Sequence, residues 1–310
     1  LTPGAATNMD CTMTETVPAP QGPSPAADAS ATAKPVKPAK KDENFFVFLA
    51  KLVLIVVVFR SFIFAPFNIP SESMLPRLEN GDYLLAAKWP YGFSSYSLPF
   101  SAPLIPGRLL ANQPKRGDVV IFKAPPANDQ DYIKRVIGLP GDQIQMIDGQ
   151  LHINGKPVPK VRVADFEIAV STNTHCYQGL TGVQDFARTR PNGERFCSYP
   201  RFKETLPGGK SYFVIDFGAA DAKNLAGVDP DNTAPVIVPE GSLFLMGDNR
   251  DNSMDSRFPA MPGGGIGIVP QTNLVGKATI VMFSTDGSAE WIKPWTWFSA
   301  ARWNRIGGTF

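Results

Sequence analysis

The chain is 310 residues long and 43% hydrophobic, enough to build one large domain or two small ones, which excludes disorder throughout. Its 30 basic and 28 acidic residues leave a formal charge of +2. No basic stripe is interleaved with aromatics, so nucleic acid is a poor candidate partner. Three cysteines, Cys11, Cys176 and Cys197, lack CxxC spacing, which gives zinc and thioredoxin-like readings little support.

Residues 1–44 come first. They are rich in Ala, Pro, Ser and Thr and hold almost no aliphatic residue able to build a core, which predicts a disordered cytoplasmic tail. Leu1 is an unusual first residue, and Met9 and Met13 are the candidate starts. "FFVFLAKLVLIVVVFRSFIF", residues 45–64, follows as an apolar run. As a helix it measures about 30 Å, the thickness of a bilayer's hydrocarbon core. Lys51 and Arg60 interrupt it. Each would cost about 2.5–3.5 kcal/mol at the centre of a membrane, and less where a long side chain reaches the interface. A transmembrane helix is predicted. A cleaved signal peptide fits less well, because too many residues precede the run and "FAPFN" offers no small-x-small cleavage site. Lys34, Lys37, Lys40 and Lys41 precede the helix, and only Arg77 is basic in the stretch just after it. The positive-inside rule then places the tail in the cytosol and the remainder across the membrane.

From Tyr83 onward, short β-rich runs alternate with turn residues: "GDVVIF", "DYIKRVIGL", "QIQMIDGQLHINGKPV", "SYFVIDF", "GSLFLMG" and "LVGKATIVMF". The pattern predicts a mainly β protein with an all-β domain over 65–159 and 235–290. Asp148-Gly149 and Asn154-Gly155 read as hairpin turns, since these residues tolerate positive φ. Residues 160–234 are less regular and read as an inserted, β-rich subdomain. Residues 291–310 hold Trp291, Trp295, Trp297 and Trp303 with Lys293, Arg302 and Arg305. That composition suits a membrane-interface segment, and equally a C-terminal helix burying its tryptophans on the domain. With the domain on the oxidising side, Cys176 and Cys197 are a candidate disulfide.

"FNIPSESMLPRLENGDYLL" places Ser71 and Ser73 between two prolines directly after the apolar run. A serine nucleophile needs a base, usually histidine. His152 belongs to a hairpin strand and His175 to the irregular region, neither beside an acidic residue, so a Ser-His-Asp triad is disfavoured. An ordinary lysine amine, pKa about 10.4, is protonated at neutral pH and useless as a base, but burial among apolar groups lowers it by up to about 3–5 units. Lys134, flanked by Ile133, Val136, Ile137 and Leu139, meets that requirement. Strand alternation puts it on one face with Tyr132 and Val136. Taken alone, a lysine in such a strand is more often on the wet face.

Four boxes change that weighting. "PSESM" at 70–74, "RGDVVIF" at 116–122, "KRVIGLPGD" at 134–142 and "GDNRDNSMDSR" at 247–257 together resemble, in order, the motifs of the bacterial type I signal peptidases. The resemblance implies a membrane-bound serine endopeptidase that removes signal peptides from translocated preproteins with a Ser-Lys dyad. It implies an anchor in the bacterial cytoplasmic membrane and no metal or organic cofactor. Ser73 would be the nucleophile, Lys134 the general base, and Ser71 with the Ser73 N–H the oxyanion hole. Ser253 would hydrogen-bond the Lys134 ammonium, Asp255 and Arg257 would brace the site by a salt bridge, and Arg135 would support it. Phe67, Ile69, Pro70, Met74, Leu78, Tyr132 and Ile133 would line shallow apolar pockets for small substrate side chains. The last box lacks the glycine and terminal glutamate of a calcium loop. Glu72, where the family often has glycine, and Arg77, where it often has threonine, would sit at the cleft rim. The rival readings are a dedicated maturation peptidase of a conjugative transfer system and a non-catalytic membrane-tethered scaffold that binds peptides.

Overall fold

The computed structural model describes residues 44–178, 185–218, 228–290 and 292–310; the tail reading of 1–44, Asn44 apart, and Trp291 lie outside these. Phe45–Phe62 forms a helix of 18 residues that ends two residues earlier than its apolar run. Pro66 has no N–H to continue the helical ladder and disfavours helical geometry at Ala65. The chain therefore turns at Ile63 and enters a strand, Phe64–Asn68. Among the described residues this is the one helix long and apolar enough to cross a membrane.

The rest is mainly β. A seven-stranded antiparallel sheet runs in the order Phe64–Asn68, Asp82–Ala87, Leu274–Ser284, Val119–Lys123, Asp131–Gly138, Ser242–Met246 and Val269–Pro270. Strand Asp131–Gly138 is buried along most of its length because it lies between two sheet partners and is covered on both faces. Its register sets Lys134 opposite Val120 and Arg135 opposite Val119. A second sheet pairs Val236–Ile237, Gln143–Ile147, Gln150–Ile153 and Lys156–Pro157. Both of its turns have positive φ at both central residues, Asp148-Gly149 and Asn154-Gly155, the geometry that two-residue hairpins require.

Residues 160–215 supply a third sheet, built on Lys160–Ala169, Arg195–Thr205 and Ser211–Ile215. Its first two strands are 10 and 11 residues long, more regular than their sequence suggests. Much of Lys160–Ala169 is exposed, so no apolar alternation marks it. Arginine–aromatic pairs such as Arg162 over Phe202 and Arg201 over Phe213 hold the surface instead. Cys176 and Cys197 are joined by a disulfide within this region.

Candidate active site

Ser73 lies in a tight turn between the first two strands, where the Leu75 and Leu78 N–H groups donate to the carbonyls of Glu72 and Met74. Two sets of contacts fix the turn. Leu75 packs into a buried cluster with Ile168, Tyr199, Ile215 and Phe217, all from the inserted region. From the other side, the Asn249 N–H donates to the Ser73 carbonyl at 3.1 Å and Asn249 Nδ2 to the Glu72 carbonyl at 3.3 Å. Gly247 closes the approach: a Cβ there would stand 2.5 Å from the Ser73 carbonyl oxygen and 2.3 Å from Ser253 Oγ. A side chain at 247 would displace one or the other.

Lys134 reaches Ser73 from the central strand, its ammonium donating to Ser73 Oγ at 2.6 Å. The lysine is 4% exposed, and its Nζ lies 5.9 Å from the Tyr132 ring on the same strand face. Burial is the main cause that lowers its pKa to about 8, offset in part by the Asp255 and Asp248 carboxylates. About one molecule in ten then carries a neutral amine at pH 7, against roughly one in 2,500 for an ordinary lysine. Ser71 is exposed at the mouth, with its Oγ 3.4 Å from Ser73 Oγ.

Ser71, Ser73 and Lys134 open into a cleft of about 570 Å³. Its walls come from Phe67–Pro70 on one side, Gln130–Lys134 on the other, and Asp251–Met254 at one end. Behind the site, Arg135 forks onto Asp248 at 2.7 and 2.5 Å. Arg250 forks onto Glu204 at 2.9 and 2.5 Å. Arg257 pairs with Asp255 at 2.9 Å. Burial pushes the Asp255 carboxyl up, but Arg257 and the Gly247 N–H outweigh it and hold it below the usual carboxylate range. In the cleft itself, burial and then the nearby Asp216 push Asp251 up to about 7.

A family model described as signal peptidase, peptidase S26, matches residues 43–283. The chain belongs to this family. The signal peptidase I of Rickettsia typhi (strain ATCC VR-144 / Wilmington) is 37% identical over 255 residues, covering 80% of this chain and 82% of that one. The signal peptidase I of Rickettsia conorii (strain ATCC VR-613 / Malish 7) is 35% identical over 286 residues, covering 87% and 92%. A crystal structure of a signal peptidase I from Enterococcus faecalis V583 aligns with 54% of the chain at 23% identity and a TM-score of 0.26, too distant to add to the argument.

Within this signal peptidase, the expected substrate-binding residues divide. Phe67, Ile69, Pro70, Tyr132 and Ile133 line the cleft. Met74 and Leu78 do not. Both are fully buried in the core with Leu84 and Val119, and they back the wall instead of forming its surface. Their large apolar side chains gain about 1.5–3 kcal/mol each from complete burial, which pulls them inward. Ser253 lines the cleft, but its Oγ has no hydrogen-bond partner among the described residues, so the expected bond to Lys134 is not made. The Lys134 ammonium is turned to Ser73 instead. Arg77 lies in a separate groove with Phe310, 5.3 Å from that ring, and not at the cleft rim. Glu72 is absent from the cleft wall, held through its carboxylate by Asn252. Neither histidine lines the cleft: His152 contacts the Gln150 carbonyl at 3.1 Å and His175 is exposed.

Sequence reasoning missed the insertion's part. Strand Ser211–Ile215 pairs through Ile215 with Asn249, and the Phe217 N–H donates to the Asp251 carboxylate. Tyr177, beside the disulfide, lines the cleft. No local pattern marks these contacts, although the run of charged residues in "GDNRDNSMDSR" signals a loop that needs partners.

Proposed function

We propose that Ser73 and Lys134 are the nucleophile and general base with which this membrane serine endopeptidase removes signal peptides from preproteins. The observation that carries the reading is the 2.6 Å contact between a buried lysine amine and a serine hydroxyl at the floor of an open cleft. Neutral Lys134 takes the Ser73 proton as Oγ attacks the scissile carbonyl. The developing oxyanion accepts from Ser71 Oγ and the Ser73 N–H. The Lys134 ammonium then gives its proton to the leaving amine, and water repeats the cycle on the acyl-enzyme.

The substrate lies extended between Phe67–Pro70 and Gln130–Lys134, with small side chains against Ile69, Pro70, Tyr132 and Ile133. The catalytic domain works on the extracytoplasmic side of the bacterial cytoplasmic membrane, as the lysines ahead of the helix indicate. Exposed Trp295, Trp297, Phe298 and Trp303 favour contact of the C-terminal segment with lipid. That segment is held to the domain by Arg302 on Glu79 and Arg305 on Asp82, each at 2.5 Å.

The test is incubation of the detergent-solubilised full chain, and of Ser73→Ala, with a preprotein carrying a signal peptide. Cleavage after a small residue is expected from the first and none from the second. Undiminished cleavage by a folded Ser73→Ala protein would refute the assignment.

A further inference from the structure

A second cavity, about 490 Å³, lies where the apolar helix meets the β domain, bounded by Val56 and Val57 on the helix and by Phe100 on a loop of the domain. Two polar groups in it lack partners. Ser61 is 1% exposed, and its Oγ has no hydrogen-bond partner among the described residues. Lys88 is 4% exposed. No hydrogen bond or ion pair from its ammonium is present among the described residues; it stands 5.7 Å from the Phe67 ring, with the Asp131 carboxylate acting on it only through longer-range attraction. Buried cations of this kind ordinarily have an anion.

The surrounding charge favours one. Arg60 and Lys123 also line the cavity, and the sole carboxylate there, Asp131, is engaged by Lys123 at 3.1 Å. Arg108 adds positive potential from nearby, with its guanidinium on the carbonyls of Tyr91 and Gly92. Burial first, and then the cations Arg60, Lys123 and Arg108, lower the Lys88 pKa to about 8 against the pull of Asp131. An anion in the cavity would reverse that shift.

The apolar part has its own match. Val56 and Val57 continue up the helix from Arg60 and Ser61, while Phe100 is fully exposed and Trp89 half exposed beside the junction. Cationic head and greasy wall, in that order along a membrane-spanning helix, are complementary to a phospholipid.

We propose that this cavity is a binding site for the phosphate of an anionic phospholipid, held by Lys88, Ser61 and Arg60 with an acyl chain along Val56 and Val57. Phe67 and Asp131 line both this cavity and the catalytic cleft, so the bound lipid adjoins the substrate path.

The experiment is native mass spectrometry of the full chain released from detergent micelles containing phosphatidylglycerol, phosphatidylcholine or inorganic phosphate. One phosphatidylglycerol per chain should be retained at about tenfold lower concentration than phosphatidylcholine, a difference corresponding to a single well-placed charge contact. Lys88→Met should remove that preference, Ser61→Ala should weaken it about threefold, and Lys156→Met, on an exposed hairpin strand, should leave it intact. Ser61→Ala carries the test alone if Lys88→Met fails to fold. Equal retention of the two lipids, or unchanged preference in both cavity variants, would overturn the proposal. So would retention of inorganic phosphate in place of lipid at the same concentration, or displacement of the lipid by an equimolar signal peptide. Binding is read without turnover, so the result stands apart from the roles of Ser73 and Lys134.

Discussion

Lys134 and Arg135 are neighbours on one strand, 4% and 3% exposed, and the fold treats them in opposite ways. Alternation sends them to opposite faces. Lys134 meets a serine hydroxyl, while Arg135 meets the Asp248 carboxylate twice and the Gly117 carbonyl once. Burial lowers the pKa of both, but on Arg135 the Asp248 charge outweighs it and the value rises, whereas Lys134 falls to about 8. Equal burial therefore yields a more readily deprotonated amine on one face and a permanently charged guanidinium on the other. The partner decides which. The residue types agree with this division, since guanidinium stays protonated under any such pressure and an ammonium does not.

The largest test of the contrast is Lys134→Met. It keeps the volume and removes the base, so preprotein cleavage should fall by about 10²–10⁴-fold with no loss of thermal stability. A variant that unfolds instead would make Lys134 a structural residue like its neighbour. Asp248→Ala attacks the other face, leaving Arg135 buried and unpaired, and should cost about 3–5 kcal/mol in denaturant unfolding. A loss under 1 kcal/mol would mean the ion pair is not what orders that side. Ser71→Ala should lower kcat by about 10²–10³-fold with little change in KM, because in the proposed mechanism its hydroxyl serves charge that exists only in the transition state. An effect confined to KM would return Ser71 to simple substrate contact.

The smallest effect is the pH dependence. In the proposed mechanism the deprotonated lysine is the active form, so kcat/KM should rise about tenfold per pH unit below a pKa near 8 and level off above it. Asp251→Asn should leave that inflection in place, although Asp251 titrates near 7 in the same cleft. A flat profile from pH 6 to 9 would remove Lys134 from proton transfer.

What could be read from the sequence was set by distance along the chain. The apolar character of the strand that carries Lys134 is read from adjacent residues, and the hairpin turns are dipeptides, so both are written locally, whereas the burial that lowers the Lys134 pKa comes from the fold. The Ser73–Lys134 contact spans 61 positions and came into view only through the order of four boxes. Met74 belongs to the same box as the serines and Leu78 follows four residues on, yet whether a residue forms the surface of a cleft or the layer beneath it depends on which way a turn faces. Glu204, far along the chain from the first box and 46 positions from Arg250, had no motif to join it to the site. Its strand is also masked by surface arginines and aromatics, which hide the apolar alternation that exposes strands elsewhere.

One residue, Ile63, separates the helix from the first strand. Its N–H and carbonyl are taken by Phe59 and Lys88, and Phe62 and Phe64 pack edge-on against Phe93 and Trp89, with ring centroids 5.2 and 4.9 Å apart. A joint so short and so filled makes the protein a measuring device. With the helix in a bilayer, the joint would carry Ser73, the proposed nucleophile, at a constant height above it. Cutting position then becomes a matter of length as well as fit. Lengthening the stretch between a preprotein's hydrophobic segment and its small residues should move the scissile bond out of register with Ser73, even when every side chain in the cleft is still the right one.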